Sequence, residues 1–169
     1  MTNQTNNGNS ESKVDDKLQE AEAVLLDYEK SLGIVPTTVM EETSSVINLR
    51  AEQIRKLSAE ECGEHAFILS QQSLFIQHQI NKHNQRINWA SSNIDAIISG
   101  RLDNYGSQYT PFADRKIMAI LDNEYTKKLH EIKTKSQQVI HRLEYIPARI
   151  NYMCKTLLEL QQTKRSSYV

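Results

Sequence analysis

An apolar repeat of seven residues most constrains what this chain can fold into. Apolar or small residues recur at alternating spacings of three and four over Leu129–Leu160. That spacing keeps one face of an α-helix apolar and is typical of a coiled-coil seam. It predicts a long helix over 111–163, with a stutter-like step over 121–129 and a kink at Pro147, which lacks an amide donor. The seam consists of Leu129, Ile132, Ser136, Val139, Leu143, Ile146, Ile150, Met153, Leu157 and Leu160.

A second long helix is predicted over 58–99. Ser58 and Glu61 match an S-x-x-E capping box, in which each side chain satisfies the other residue's amide, and Gly100 is placed to end the helix. The chain is therefore predicted to be all-α, with a long helical hairpin as a core domain over 58–165. The apolar stripe of this helix consists of Leu69, Ile76, Ile80, Ile87, Ala90, Ile94 and Ile97.

The length of the hairpin predicts self-association. A helix of about 40 residues is ~60 Å long, which exceeds a compact domain of this size. The low apolar content, 38% of the chain, leaves too few residues to cover the seam Leu129–Leu160. Because an exposed seam of that length requires a partner, we expect an oligomeric assembly.

The N-terminal region is predicted to differ from the hairpin. Residues 1–12 carry no apolar residue after the first position and are expected to form a disordered tail. Residues 13–57 are expected to be a helical segment, with a shorter helix over about 38–56, and residues 166–169 a C-terminal tail. The first helix of the segment carries its own seam, which consists of Val14, Leu18, Ala21, Leu25, Tyr28 and Leu32.

Composition and motifs exclude several classes of protein. No run approaches the ~18 apolar residues of a membrane span, and the N-terminus lacks the apolar core of a signal peptide. Two cysteines, Cys62 and Cys154, are too few for a disulfide framework, so we expect a cytoplasmic protein. Glu61 and His65 share a helix face, but a di-iron bundle needs matched ligand sets on several helices. We expect no enzyme, no metal and no cofactor.

The charge of the chain is unevenly distributed although the net charge is only −1. Residues 1–64 carry 6 basic and 13 acidic side chains, which gives −7, whereas residues 110–169 carry 11 and 6, which gives +5. Such asymmetry is compatible with a face that binds a polyanion, or with the two parts of the chain attracting each other. A solvated helix surface gives the same count.

The segment between the two long helices combines aromatic and basic residues. Arg101, Tyr105 and Tyr109 lie in the connection, and Arg115 and Lys116 begin the next helix. Single-stranded nucleic acid needs aromatic faces for its bases and cations for its phosphates, so this corner is a candidate site for single-stranded nucleic acid. Lys82 and Arg86, one turn apart on the preceding helix, form a second tier. The alternative is an ordinary connection whose tyrosines fold back on the helices.

Three sequence stretches resemble the UvsY-type recombination mediators of tailed phages. These are LFIQHQINKHNQRI over Leu74–Ile87, GRLDNYGSQ over Gly100–Gln108, and YMCKTLLELQ over Tyr152–Gln161. The resemblance covers roughly residues 59–162, and its most specific parts are INKH and RLDNY. Ser99 stands where the similar proteins tend to have a second basic residue, so the corner of this chain is one charge poorer.

The resemblance implies a non-enzymatic helical protein that forms a ring-like homo-oligomer. Such proteins bind single-stranded DNA, help to displace the single-strand-binding protein and load a RecA-like recombinase. The resemblance assigns the DNA-contacting role at the corner to Arg101, and a phage-encoded protein would act in the host cytoplasm. The alternative is a helical phage protein of the scaffold or tail-assembly type that binds no nucleic acid.

Overall fold

The computed structural model describes residues 7–32, 41–106 and 109–167, with side chains from Lys13 onward. These residues form seven α-helices and one short 3₁₀ helix at Leu102–Asn104, and no strand occurs in the described ranges. The prediction of an all-α fold is confirmed. The α-helices are α1 Asn7–Ser31, α2 Thr43–Ile47, α3 Ala51–Lys56, α4 Ala59–Ile98, α5 Phe112–Leu121, α6 Glu124–Leu143 and α7 Ile146–Ser166.

Helix α4 agrees with its prediction over 58–99. The backbone amide of Ser58 donates to Glu61 Oε2 at 2.6 Å, and the amide of Glu61 donates to Ser58 Oγ at 3.1 Å. The bond from the Ser58 backbone is the largest cause that lowers the pKa of the Glu61 carboxyl, since it favours the charged form. The capping box therefore begins the helix where the sequence places it.

The prediction of one helix over 111–163 is wrong, because the chain turns at two points within it. At the first, Asn123 Oδ1 accepts from the backbone amides of Tyr125 at 2.8 Å and Thr126 at 3.2 Å. This caps a new helix, α6, and buried Thr126 donates to the carbonyl of Ile120 at 2.8 Å. The second turn precedes Pro147, which lies in the first turn of α7, where a missing amide donor has no consequence.

The chain divides into two structural units. One comprises Met1–Val35 and Lys82–Ile140, and the other comprises Pro36–Asn81 and His141–Val169, so this grouping cuts across the sequence boundary at residues 57 and 58. The core of the first unit contains Val14, Ala90, Ile94, Ile98, Ala119, Ile120 and Leu129. Buried residues of the second unit include Val46, Cys62, Ala66, Leu69, Ile76, Ile80, Ile150, Cys154 and Leu157.

The seam Leu129–Leu160 is covered by the chain itself. Its members Leu129 and Ser136 are buried in the first unit, and Ile150 and Leu157 in the second, while the remaining members are partly buried. In the second unit Cys154 Sγ lies 3.5 Å from the carbonyl oxygen of Ala66, so α7 packs against α4 there. The expectation that this seam is exposed is therefore wrong, and it no longer argues for a partner.

The N-terminal region also differs from its prediction. Helix α1 begins at Asn7, inside the expected tail 1–12, and residues 1–6 lie outside the described part of the chain. The expected helix over 38–56 is instead two short helices, α2 and α3, and residues 33–40 are outside the described ranges. Of the expected tail 166–169, Ser166 ends α7, and residues 168 and 169 are not described. No helix among the described residues has the length and apolar character that a membrane span requires.

The cap at the start of α6 yields the first prediction. Replacing Asn123 with Ala removes the acceptor for two backbone amides, and loss of such a cap typically costs about 1 kcal/mol. We expect Asn123→Ala to lower the free energy of unfolding by that amount in urea titrations. The control is Gln137→Ala at an exposed position of α6, which should change it by less than ~0.5 kcal/mol. Equal effects of the two variants would contradict the capping role.

Candidate nucleic-acid interface

The corner between α4 and α5 is built by a short 3₁₀ turn and a glycine. The amide of Arg101 donates to the carbonyl of Ile98 at 2.9 Å, which closes the end of α4. Gly106 has a φ of +86°, and a β-carbon at this position would lie 2.5 Å from Thr110 Oγ1. Both the backbone angle and the close approach require glycine here. The described residues of the corner therefore hold a defined backbone path from Arg101 to Gly106.

Arg101 is the exposed cation of this corner. Its side chain reaches solvent, and the guanidinium has no hydrogen-bond or ion-pair partner among the described residues. Arginine in such a setting offers five donors in a planar fork, which matches the oxygens of a phosphate. Of the predicted contacts, Arg101 is thus the cation most available to a ligand.

The two cations at the start of α5 are engaged within the chain. Lys116 Nζ donates to Asp95 Oδ1 at 2.7 Å, and Arg115 Nη1 lies 3.7 Å from Asp103 Oδ1. Arg115 is the more buried of the two, and its Nε is buried without a hydrogen-bond acceptor in the described structure. Arg115 and Lys116 lie close to Arg101 in the sequence. In the fold they pair with Asp103 of the 3₁₀ turn and Asp95 of α4.

The two tyrosines of the corner have different environments. Tyr105 is partly buried against the core of the first unit, and its hydroxyl donates to Asp122 Oδ2 at 2.8 Å. That hydrogen bond is the largest cause that raises the pKa of Tyr105 above its ordinary value. Tyr109, in contrast, is 84% exposed. Tyr105 thus folds back on the helices, as the alternative interpretation expected, whereas Tyr109 presents its ring to solvent.

The second-tier cations, Lys82 and Arg86, share one carboxylate. Arg86 Nε donates to Glu22 Oε1, and Lys82 Nζ lies 3.3 Å from Glu22 Oε2. Burial of Glu22 raises the pKa of its carboxyl, but the hydrogen bonds and charges of Arg86 and Lys82 together outweigh this effect and hold the pKa below its ordinary value. Helix α1 is thereby ion-paired to α4.

A histidine lies in this cluster. His83 is partly buried, and its Nδ1 is buried without a hydrogen-bond partner in the described structure. Burial is the largest cause that lowers the pKa of His83, followed by the charges of Arg86 and Lys82, and Glu22 opposes them. The charges of Arg86 and Lys82 thus oppose protonation of His83, and the charge of Glu22 favours it.

The acidic partners are the residues that sequence reasoning missed. Glu22, Asp95, Asp103 and Asp122 each lie many positions from the group that they contact. The uneven charge distribution gives no signal for Asp95, Asp103 and Asp122, because these residues lie outside the acidic segment 1–64. Glu22 lies in that segment, but it pairs with Lys82 and Arg86 and not with the basic segment 110–169, so the expected attraction between the two segments stays a prediction.

The cysteine and histidine residues near the start of α4 are not assembled into a site by the described residues. No group of three or more His, Cys, Asp or Glu side chains that could hold a metal occurs in the described ranges. Burial raises the pKa of the Cys62 and Cys154 thiols, whereas a nucleophilic cysteine requires a lowered pKa.

Comparisons with protein-family models, with curated proteins and with solved structures found no match to this chain. The function must therefore be argued from the residues and their geometry.

The Glu22 cluster yields a prediction on acid stability. Because the carboxyl pKa is lowered on folding, its ion pairs stabilise the fold above the ordinary carboxyl pKa, and this contribution is lost as the pH falls through the lowered value. We expect the free energy of unfolding of Glu22→Gln to decrease less than that of wild type between about pH 6 and about pH 3. Urea unfolding at each pH measures this difference.

Glu20→Gln serves as the matched control, because Glu20 is exposed on the same helix and is not ion-paired with a described residue. It should retain more of the wild-type pH dependence than Glu22→Gln. Identical curves for the two variants would show that the Glu22 pairs do not stabilise α1 on α4.

Proposed function

We propose that this chain is a non-enzymatic protein that binds single-stranded DNA at the corner between α4 and α5 and acts as a recombination mediator. The observation that carries the DNA-binding proposal is the pairing of two exposed groups in one connection. Arg101 presents a guanidinium that has no hydrogen-bond or ion-pair partner among the described residues, and Tyr109 presents a ring that is 84% exposed. An exposed aromatic ring and an exposed arginine are the two elements that a sequence-independent single-strand site requires.

The proposed chemistry is recognition without covalent change. Arg101 would contact backbone phosphates by charge-assisted hydrogen bonds, and Tyr109 would stack on a base. Arg115 and Lys116 would supply positive potential near the strand, reduced by Asp103 and Asp95. Tyr105 has a positioning role, because its hydroxyl bonds to Asp122 and its ring packs on the core.

The wider role is supported by the resemblance to UvsY-type mediators. It favours a homo-oligomeric ring, displacement of the single-strand-binding protein and loading of a RecA-like recombinase in a host cytoplasm. Since the seam Leu129–Leu160 is covered within the chain, self-association requires a different surface.

A second candidate function is a helical scaffold or assembly protein that binds no nucleic acid. The observation that favours it is the internal pairing of Lys82, Arg86, Arg115 and Lys116, four of the five cations expected to contact DNA. Exposed apolar residues on α1, including Val24, Tyr28 and Leu32, are compatible with a protein partner.

Binding to a fluorescent oligo-dT strand across a salt series tests the proposal. We expect the wild-type protein to bind with an affinity that falls steeply with salt, because phosphate contacts release counterions. The double variant Arg101→Ala/Tyr109→Ala should bind about tenfold or more weakly. Its salt slope should fall by about 0.7, the contribution of one phosphate contact on a single strand.

The matched control is Arg149→Ala/Tyr152→Ala, which removes an exposed arginine and a 73%-exposed tyrosine from α7. It should retain wild-type affinity and slope. Equal losses in both double variants would place binding elsewhere on the chain. A wild-type protein that fails to bind at low salt would favour the scaffold function.

Self-association is tested separately by analytical ultracentrifugation at micromolar concentration. The proposed mediator should sediment as a closed oligomer, and oligo-dT binding by Arg101→Ala/Tyr109→Ala should weaken without a change in that oligomer. A monomer would contradict the ring but leave the corner as a DNA site.

A further inference from the structure

We infer that α1 competes with nucleic acid for Lys82 and Arg86, so that its Glu22 carboxylate masks a second phosphate-binding site on α4. The inference rests on the proposed function and concerns its regulation. It differs from the corner site in its residues, because Lys82 and Arg86 already share the Glu22 carboxylate.

The first argument is the geometry of the pairing. The two oxygens of one carboxylate are held separately, Oε1 by Arg86 and Oε2 by Lys82. A backbone phosphate also carries two non-bridging oxygens, and it accepts the same charge-assisted hydrogen bonds from arginine and lysine. A phosphate could thus replace Glu22 without leaving either cation unpaired.

The second argument is the charge balance of the cluster. One carboxylate faces two cations, so the group Glu22, Lys82 and Arg86 has a net charge of about +1 at neutral pH. His83 adjoins them, and Lys82 and Arg86 disfavour its protonation despite Glu22. The cluster therefore retains an attraction for a further anion, even with α1 in place.

The third argument is the weak anchoring of α1. Among its described apolar side chains Val14 alone is fully buried, whereas Val24 is 65% exposed, Tyr28 62%, Leu25 38% and Leu26 37%. Lys17 lies 5.7 Å from the centroid of the Tyr125 ring, a modest cation–π contact. Release of the helix from Glu22 onward leaves Val14 in place and exposes mainly the buried parts of Leu25 and Leu26, so its displacement opposes binding only modestly.

Four variants test the inference with the oligo-dT salt series. Glu22→Gln keeps the shape of the side chain and removes the competing charge. We expect it to bind about threefold to tenfold more tightly than wild type, with a steeper salt slope, because two more cations contact phosphate. Glu20→Gln removes the same charge from the same helix at an exposed position that pairs with neither cation, and it should change affinity by less than about twofold.

The remaining two variants complete a thermodynamic cycle. Lys82→Gln/Arg86→Gln should weaken binding less than about twofold while Glu22 is present, and it should abolish the gain when combined with Glu22→Gln. Circular dichroism of each variant verifies that the helices are retained. A variant that loses helical content is replaced by the corresponding single substitution, Lys82→Gln or Arg86→Gln.

The outcomes separate the two proposals. The masking inference is overturned if Glu22→Gln gains no more affinity than Glu20→Gln, or if Lys82→Gln/Arg86→Gln weakens binding equally with Glu22 and with Gln at position 22. Binding by wild type that depends on Arg101 and Tyr109 would leave the corner site standing in that case. If no variant binds at low salt, both the proposed function and the inference fail.

Discussion

Burial of the apolar stripe of α4 is the constraint on which the fold of each structural unit depends. This helix of 40 residues contributes Ala66 and Leu69 to the buried residues of one unit and Ala90 and Ile94 to the core of the other. A single helix cannot bury its own stripe, so its stability depends on the segments that pack against it. In the first unit Ala119, Ile120 and Leu129 supply part of that packing, and the cap at Asn123 separates the two helices that carry them.

The packing of other helices against α4 also determines which cations are paired with carboxylates. Exposed ion pairs stabilise a fold by only about 0–1 kcal/mol each, so the pairs of Glu22, Asp95 and Asp103 contribute modestly to stability. Their larger consequence is for ligand binding, since a cation with an internal carboxylate must lose that partner before it can bind a phosphate. The same pairing that neutralises the uneven charge of the sequence therefore leaves Arg101 as the most available cation of the predicted site.

The sequence predicts periodic and local features well and distant pairings poorly. The observed ends of α4 agree with the predicted range 58–99 within one residue, because the capping box and an uninterrupted helical stripe are local signals. The prediction of one helix over 111–163 is wrong, because apolar spacing indicates which face is buried and can continue across a break between helices. The Asn123 side chain caps a new helix without changing that spacing. The cations of the site were visible in the sequence, but their partners were not. Arg86 and Glu22 are 64 positions apart, and Lys116 and Asp95 are 21 apart, so only the fold brings them together.

In the proposed scheme the corner and the α4 cluster differ in what a single strand must displace. Binding at Arg101 displaces no carboxylate among the described residues, so the strand gains the release of counterions there without breaking an ion pair. Binding at Lys82 and Arg86 exchanges a carboxylate for a phosphate, so the number of charge-assisted hydrogen bonds is conserved. The main term that opposes binding is then the free energy needed to release α1. That term is limited, because only the part of α1 from Glu22 onward has to be released and Val14 can stay in the core. A partner that binds α1 more tightly when this part is displaced would raise the affinity of the same chain for nucleic acid, because both binding events favour the same displaced state.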